Sequence, residues 1–333
     1  MLLCGALIWG TAFAAQRMVS DTVEPFTFNA IRSYIAALAL LLVSFIFRRR
    51  RPEQRTDAQR RQERKLLLCG GVLCGLFLCA AATLQQFGIT YTSAGKAGFI
   101  TTLYIVLVPL LGVFMKKRTT LGAWIAVAVA AAGLYLLCVT EQFTIALGDI
   151  YVMLCAVFFS MHILCVDYFS PKVNGVLLSC LQFLVMGIIC TVLAFIYETP
   201  DPAAILSSWA PILYVAVMSS GVGYTLQIVA QKGLNPTIAS LTMSLESVFS
   251  ALAGWVLLGQ GLSLRELSGC ALMFAAIVLA QLPDSLFRRR KAAEALVVLR
   301  ADTSEQMWAG VLDARAALPD TAVVVLCPQE DAF

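Results

Sequence analysis

"TSAGKAGFITTLYIVLVPLLGVFMKKR" (Thr92–Arg118) is the stretch on which the fold turns. It is apolar over about 20 residues, the length a helix needs to cross the hydrocarbon core of a bilayer. Three consecutive basic residues, Lys116, Lys117 and Arg118, close it, and a lone cation, Lys96, stands near its start. The rest of the chain has the same character. Of its 333 residues, 60% are hydrophobic and 13% charged, against about 45–50% and about 25% in ordinary soluble domains. A water-soluble protein of this size could not bury so much apolar surface, so the solvent is lipid. The net charge of +4 is concentrated in short loops, where it sets membrane orientation and does not mark a nucleic-acid partner.

Ten segments have spanning length: 1–18, 26–47, 66–86, 94–115, 120–139, 149–169, 176–197, 209–231, 236–258 and 265–283. The predicted fold class is therefore an all-α integral membrane protein with ten transmembrane helices. The connections are short except for "RRRRPEQRTDAQRRQERK" (Arg48–Lys65), expected to be a solvated basic loop. Arg48–Lys65, Lys116–Arg118, Lys172, Lys232 and Arg288–Lys291 all follow even-numbered segments, whereas only Arg17 and Arg265 lie near segment ends on the other side. The positive-inside rule then predicts a multi-pass protein of the bacterial cytoplasmic membrane with both termini in the cytoplasm. Ala12-Phe13-Ala14 resembles a signal-peptide cleavage triplet, but no basic region precedes it. Segment 1–18 is thus read as a span, and whether the native N-terminus lies upstream of Met1 is left open.

The chain matches itself. At an offset of 150, Ala6 falls on Ala156, Trp9 on Phe159 and Arg32 on Gln182. Farther along, the offset drops to 142, and "AGFITTLYIV" from Ala97 overlays "ASLTMSLESV" from Ala239, setting Tyr104 against Glu246. Residues 1–139 and 149–283 are read as two five-helix repeats, with 284–333 as a cytoplasmic tail. Five is odd, so the second repeat enters the membrane inverted. Inverted repeats around a central cavity give a carrier two mirror-like states.

Several motifs carry a family resemblance: "LIWGTAF" (Leu7–Phe13), "FNAIRSYIAAL" (Phe28–Leu38), Thr92–Gly112, "LGDIYVMLCAVFFSMHIL" (Leu147–Leu164) and "SLESVFSALAGWVLLG" (Ser244–Gly259). In this order they resemble the ten-helix EamA-type exporters of the drug/metabolite transporter superfamily, over about residues 1–283. The resemblance implies efflux of amino-acid-like metabolites or drugs through a central cavity by alternating access. Gln260 stands where the family often has glutamate, and the tail after Lys291 has no recognised counterpart.

An ionisable group in the hydrocarbon costs about 2.5–3.5 kcal/mol on insertion scales, so each such residue is a candidate for function. Glu246 is expected at the centre of its helix, where it must be protonated, paired or facing water. It is either a hydrogen-bonded structural acid or a substrate-facing, proton-carrying one. Tyr104, its repeat mate, His162, Arg32 and neighbouring Asn29, Trp9, Tyr224 and Gln86 complete the candidate cavity set. Lys96 lies about 12 Å outward of its helix midpoint. It is either an interface lysine or an outer-gate cation.

One histidine and eleven cysteines without ligand spacing predict no metal site, no cofactor and no disulfides. No GxxxxGK[ST] loop is present for ATP. "GVLCG" (Gly71–Gly75) suggests close helix packing. The expected partners are a small-molecule substrate and the lipid bilayer, with a homodimer left open. The alternatives are an importer or an exchanger of phosphorylated or nucleotide-linked solutes, which would need several cavity cations, and an intramembrane lipid-modifying enzyme.

Overall fold

The computed structural model describes residues 1–46, 56–91, 94–117, 119–138, 147–258, 263–282, 297–300 and 323–326. Several apolar segments begin where the sequence supplies a cap or a proline. Helix α1 (Leu2–Ser20) is followed by α2 (Pro25–Ile46), which starts on a proline. Then come α3 (Asp57–Tyr91), α4 (Ala94–Thr101), α5 (Tyr104–Phe114) and α6 (Leu121–Cys138). Helix α7 (Leu147–Phe169) leads to α8 (Gly175–Tyr197), whose Asn174 Oδ1 accepts from the N–H groups of Val176 and Leu177. Two short helices, α9 (Pro202–Ser207) and α10 (Trp209–Tyr214), run into a π-helical stretch (Val215–Gly223) and α11 (Tyr224–Ala230). Asn235 and Pro236 start α12 (Pro236–Met243), followed by α13 (Leu245–Leu258) and α14 (Leu264–Gln281).

Seven of these stretches, among the described residues, are long and apolar enough to cross a bilayer: Leu2–Ser20, Pro25–Ile46, Asp57–Tyr91, Ala97–Phe114, Leu147–Phe169, Gly175–Tyr197 and Trp209–Ala230. Leu121–Leu136 is apolar but shorter. The packing is inside-out relative to a soluble domain. Phe114 is 85% exposed, whereas Asn29, Gln86, His162 and Gln182 are fully buried. Apolar side chains can face lipid without cost, while polar groups in hydrocarbon need internal partners.

The structure corrects or refines the sequence reading at five places. Residues 57–65, expected as loop, are the first turns of α3, because helix formers follow Asp57 without a break. The same helix runs past residue 86 to Tyr91. Segments 94–115 and 236–258, expected as single helices, break at Thr102–Leu103 and at Ser244. No proline or glycine sits at either break. Instead Thr102 Oγ1 donates to the Phe99 carbonyl (2.7 Å) and Ser244 Oγ to the Leu241 carbonyl (2.8 Å). Such back-bonding competes with the main-chain ladder, and Leu103 and Ile105 donate three residues back. Finally, the segment expected at 209–231 carries the π-helical stretch in its middle.

Helix α3 packs on α7 and α8, α2 on α8, α1 on α13 and α6 on α14. The Gly71–Gly75 motif is the contact of α3 with α8: a Cβ on Gly71 would meet Leu181 Cδ2 at 2.3 Å, and one on Gly75 the Gln182 carbonyl at 2.9 Å. Gly10 serves the same purpose between α1 and α13, where a Cβ would lie 2.7 Å from the Glu246 carbonyl and 2.9 Å from the Ser250 nitrogen. These are backbone atoms and cannot rotate away. Gly10→Val is therefore expected to push α1 off α13 and to cost about 1–3 kcal/mol or more, read as a lowered unfolding temperature of the purified chain in detergent.

The described cysteines are free thiols, with Cys74 and Cys165 sulfurs 3.3 Å apart and those of Cys79 and Cys190 3.6 Å apart. Helices Met1–Gln281 form one compact unit and Leu282–Phe333 a second. In the second, β1 (Val297–Arg300) and β2 (Val323–Leu326) pair in parallel, Val297 opposite Val323. Strand β2 lies in the "TAVVVLC" run of the tail.

Candidate functional site

The polar groups withdrawn from lipid meet around a small central cavity. Helix α1 contributes Trp9, Phe13 and Gln16, and α2 contributes Arg32. Gln85 of α3 and Phe159 of α7 form further walls, while the π-helical stretch and α11 supply Ser219, Tyr224 and Gln227. The two broken helices close the ring with Thr101, Tyr104, Met243 and Glu246. The free space is about 40 Å³, room for about three waters at 10–15 Å³ each.

Both breaks deliver side chains to this cavity. Tyr104 opens α5 and Glu246 stands in the first turn of α13, and Tyr104 Oη donates to Glu246 Oε1 at 3.0 Å. Glu246 is 5% exposed, and none of the described Lys or Arg residues forms an ion pair with it. Arg32 is 3% exposed, stacks over Phe28 at 5.2 Å and leaves its Nε without a hydrogen-bond partner. Among the described residues the cavity thus holds one carboxyl and one guanidinium that form no ion pair with each other.

The aromatic wall is fixed from behind. Trp9 Nε1 donates to the carbonyl of Ser219 (3.3 Å), which lies in the π-helical stretch. The Trp9 ring lies 5.1 Å from that of Tyr224, and Phe183 and His162 meet Tyr224 edge-on at 5.5 and 5.9 Å.

Of the residues singled out in the sequence, Trp9, Arg32, Tyr104, Tyr224 and Glu246 line the cavity together. His162, Asn29 and Gln86 are buried behind it. His162 Nε2 lies 3.0 Å from Gln182 Oε1, Asn29 Nδ2 donates to Thr83 Oγ1 (3.2 Å) and Gln86 Nε2 to the Gln16 carbonyl (3.4 Å). The Lys96 side chain lies outside the described residues. Phe13 and Phe159 join the aromatic wall and Gln85, Ser219 and Gln227 the polar one, and Gln16, Thr101 and Met243 are lining residues that nothing in the sequence singles out. Gln16 follows an apolar run that looks like the end of a span, and only the packing of α1 turns it inward.

The two ends of the bundle differ. At the end carrying the basic connections, Lys117 Nζ pairs with the buried Asp167 carboxylate at 2.5 Å, tying the turn after α5 to α7. Thr119 and Thr237 hydroxyls meet there at 3.3 Å. At the opposite end a hollow of about 600 Å³ lies between the α1–α2 turn and the ends of α3 and α8. Beside it the Glu198 carboxylate caps α2, accepting from Phe26 N, Thr27 N and Thr27 Oγ1 at 2.7–2.8 Å.

A helical bundle with polar groups turned inward onto a cavity, and two broken helices facing each other across it, is the arrangement of a carrier. The profile of the EamA-like transporter family matches residues 1–139 and 146–282. The chain belongs to that family. This EamA-family membrane transporter is 28% identical over 288 residues to a protein of Archaeoglobus fulgidus named "Uncharacterized transporter", covering 83% of each chain. It is 19% identical to "Uncharacterized transporter YoaV" of Bacillus subtilis, covering 86% of this chain and 96% of that one. "Protein PecM" of Dickeya dadantii matches at 30% identity over 33% of this chain and 37% of its own. A solved crystal structure shares the fold with a TM-score of 0.67 at 17% identity, covering 84% of this chain and 94% of the other. Membership in a transporter family sets aside the lipid-modifying enzyme.

Proposed function

We propose that this transporter is a secondary exporter of small amino-acid-like metabolites or drugs, working by alternating access between two inverted five-helix repeats, 1–139 and 149–283. In this reading α4–α5, α10–α11 and α12–α13 each count as one span, so that the chain crosses the membrane ten times. One observation carries the proposal. The helices broken at Thr102–Leu103 and at Ser244 occupy positions 142 residues apart, the offset of the repeat, and the residues that follow the breaks, Tyr104 and Glu246, bond to each other over the cavity. Equivalent breaks at one central point suit a site shared by two mirror-related states.

A cavity of about 40 Å³ is too small for a metabolite, so loading requires the halves to part. The Lys117–Asp167 pair and the Thr119–Thr237 contact join the first half to the second at the basic end. They act as the closed inner gate of this conformation. Among the described lining residues Arg32 is the one cation, which favours a solute carrying at most one anionic group over a phosphorylated one.

The test is transport by proteoliposomes against a panel of labelled amino acids, nucleotides, sugar phosphates and organic cations. Saturable movement of a phosphorylated solute alone would overturn the substrate class. For orientation, cysteines introduced in 48–65 and after Arg288 are expected to resist an impermeant thiol reagent added outside intact cells. Labelling there would reverse the topology.

A further inference from the structure

The amino-terminal turns of α3 extend beyond the apolar part of the helix. Residues 56–62 and Arg64, Lys65 are exposed. The lipid-facing stripe of the same helix is marked by Leu68 (58% exposed), Val72 (44%) and Leu76 (47%). At 3.6 residues per turn, Arg61 lies about 20° around the axis from Leu68 and Lys65 about 60°, on the side of Val72, while Arg64 lies about 40° to the other side. Three cations therefore continue the stripe that touches acyl chains, within about 10 Å along the axis of Leu68. Glu63 falls about 140° away, on the far face. Arg60 is also exposed nearby, and the preceding sequence adds Arg48–Arg51 and Arg55.

A cation pointing at the protein would serve packing, and one pointing at solvent would serve solubility. Cations aligned under a lipid-facing stripe reach the headgroup layer of the adjacent leaflet. There each basic residue gains from anionic lipid, and guanidinium groups can grip a phosphodiester with two parallel hydrogen bonds. We infer that the α3 extension is a binding site for anionic phospholipid headgroups, with Arg61, Arg64 and Lys65 as its core and Arg60 at its margin. The inference rests on membrane insertion alone and is independent of substrate and transport mechanism.

The test uses the full chain reconstituted in vesicles of equal phosphatidylcholine and phosphatidylglycerol, then recovered in mild detergent for quantification of co-purifying lipid. For the wild type, phosphatidylglycerol is expected to be enriched at least about fivefold over phosphatidylcholine, the effect of even one engaged basic residue. The variant Arg60→Gln, Arg61→Gln, Arg64→Gln, Lys65→Gln keeps helix propensity. It is expected to elute as the same folded species with the enrichment near one. Lys172→Gln with Lys232→Gln, two exposed cations on other connections, should leave the enrichment intact. No enrichment in the wild type, undiminished enrichment in the quadruple variant, or an equal loss in the Lys172/Lys232 variant would each overturn the site. Displacement of the lipid by millimolar inorganic phosphate would also overturn it, since the ligand would then be a soluble anion.

Discussion

Glu246→Gln is expected to reduce pH-gradient-driven transport to background while the folded bundle survives. The amide matches the carboxyl in size and still accepts the 3.0 Å bond from Tyr104 Oη, so packing between α5 and α13 is retained. What it cannot do is take up and release a proton as the cavity opens to either side. Counterflow of substrate without a gradient should persist in part, because it needs the cavity but no proton exchange. Counterflow and gradient-driven uptake measured on the same proteoliposomes separate the two effects. Equal gradient-driven rates for mutant and wild type would leave Glu246 a structural hydrogen-bonding group. Loss of both activities with an intact fold would make it a substrate ligand and not a proton carrier.

Reversing one charge of the Lys117–Asp167 pair is expected to be the next largest change. Asp167 is 8% exposed on its side chain and Lys117 39%, so the carboxylate depends on the ammonium more than the reverse. Loss of one partner of a fully buried pair costs roughly 3–5 kcal/mol, and this half-open pair should cost less. Either Lys117→Asp or Asp167→Lys should slow transport at least about tenfold, the effect of about 1.4 kcal/mol on the gate equilibrium. The double swap should restore most of the rate, because the attraction is recovered with its sign exchanged. A double-mutant cycle on initial rates measures this. Strictly additive losses in well-folded variants would mean that the two residues do not act as a gate.

By itself the sequence determined the membrane class, the family and much of the helix pattern. These follow from the lengths of the apolar runs and from an ordered set of motifs, which need no contacts to be read. It also singled out Tyr104 and Glu246 as mates, since the 142-residue offset sets them against each other, and their bond bridges the cavity. The tertiary structure alone decided where helices break and which polar groups face the centre. At the interruptions Thr102 and Ser244 bond their hydroxyls back to carbonyls, a feature that hydropathy does not record. Depth along a helix could be counted from the residues, but direction around it could not. By count of residues His162 lies within one helical turn of its helix centre, yet it bonds to Gln182 behind Tyr224, whereas Gln16, near the end of an apolar run, turns toward the cavity. The pairing of Lys117 with Asp167 joins residues of the two halves of the chain, and only packing of α5 against α7 brings them together. In a bilayer, lipid accepts apolar side chains on any face. Hydropathy therefore measures how long a helix is but not which way it is turned, and rotation is set by the contacts its neighbours make.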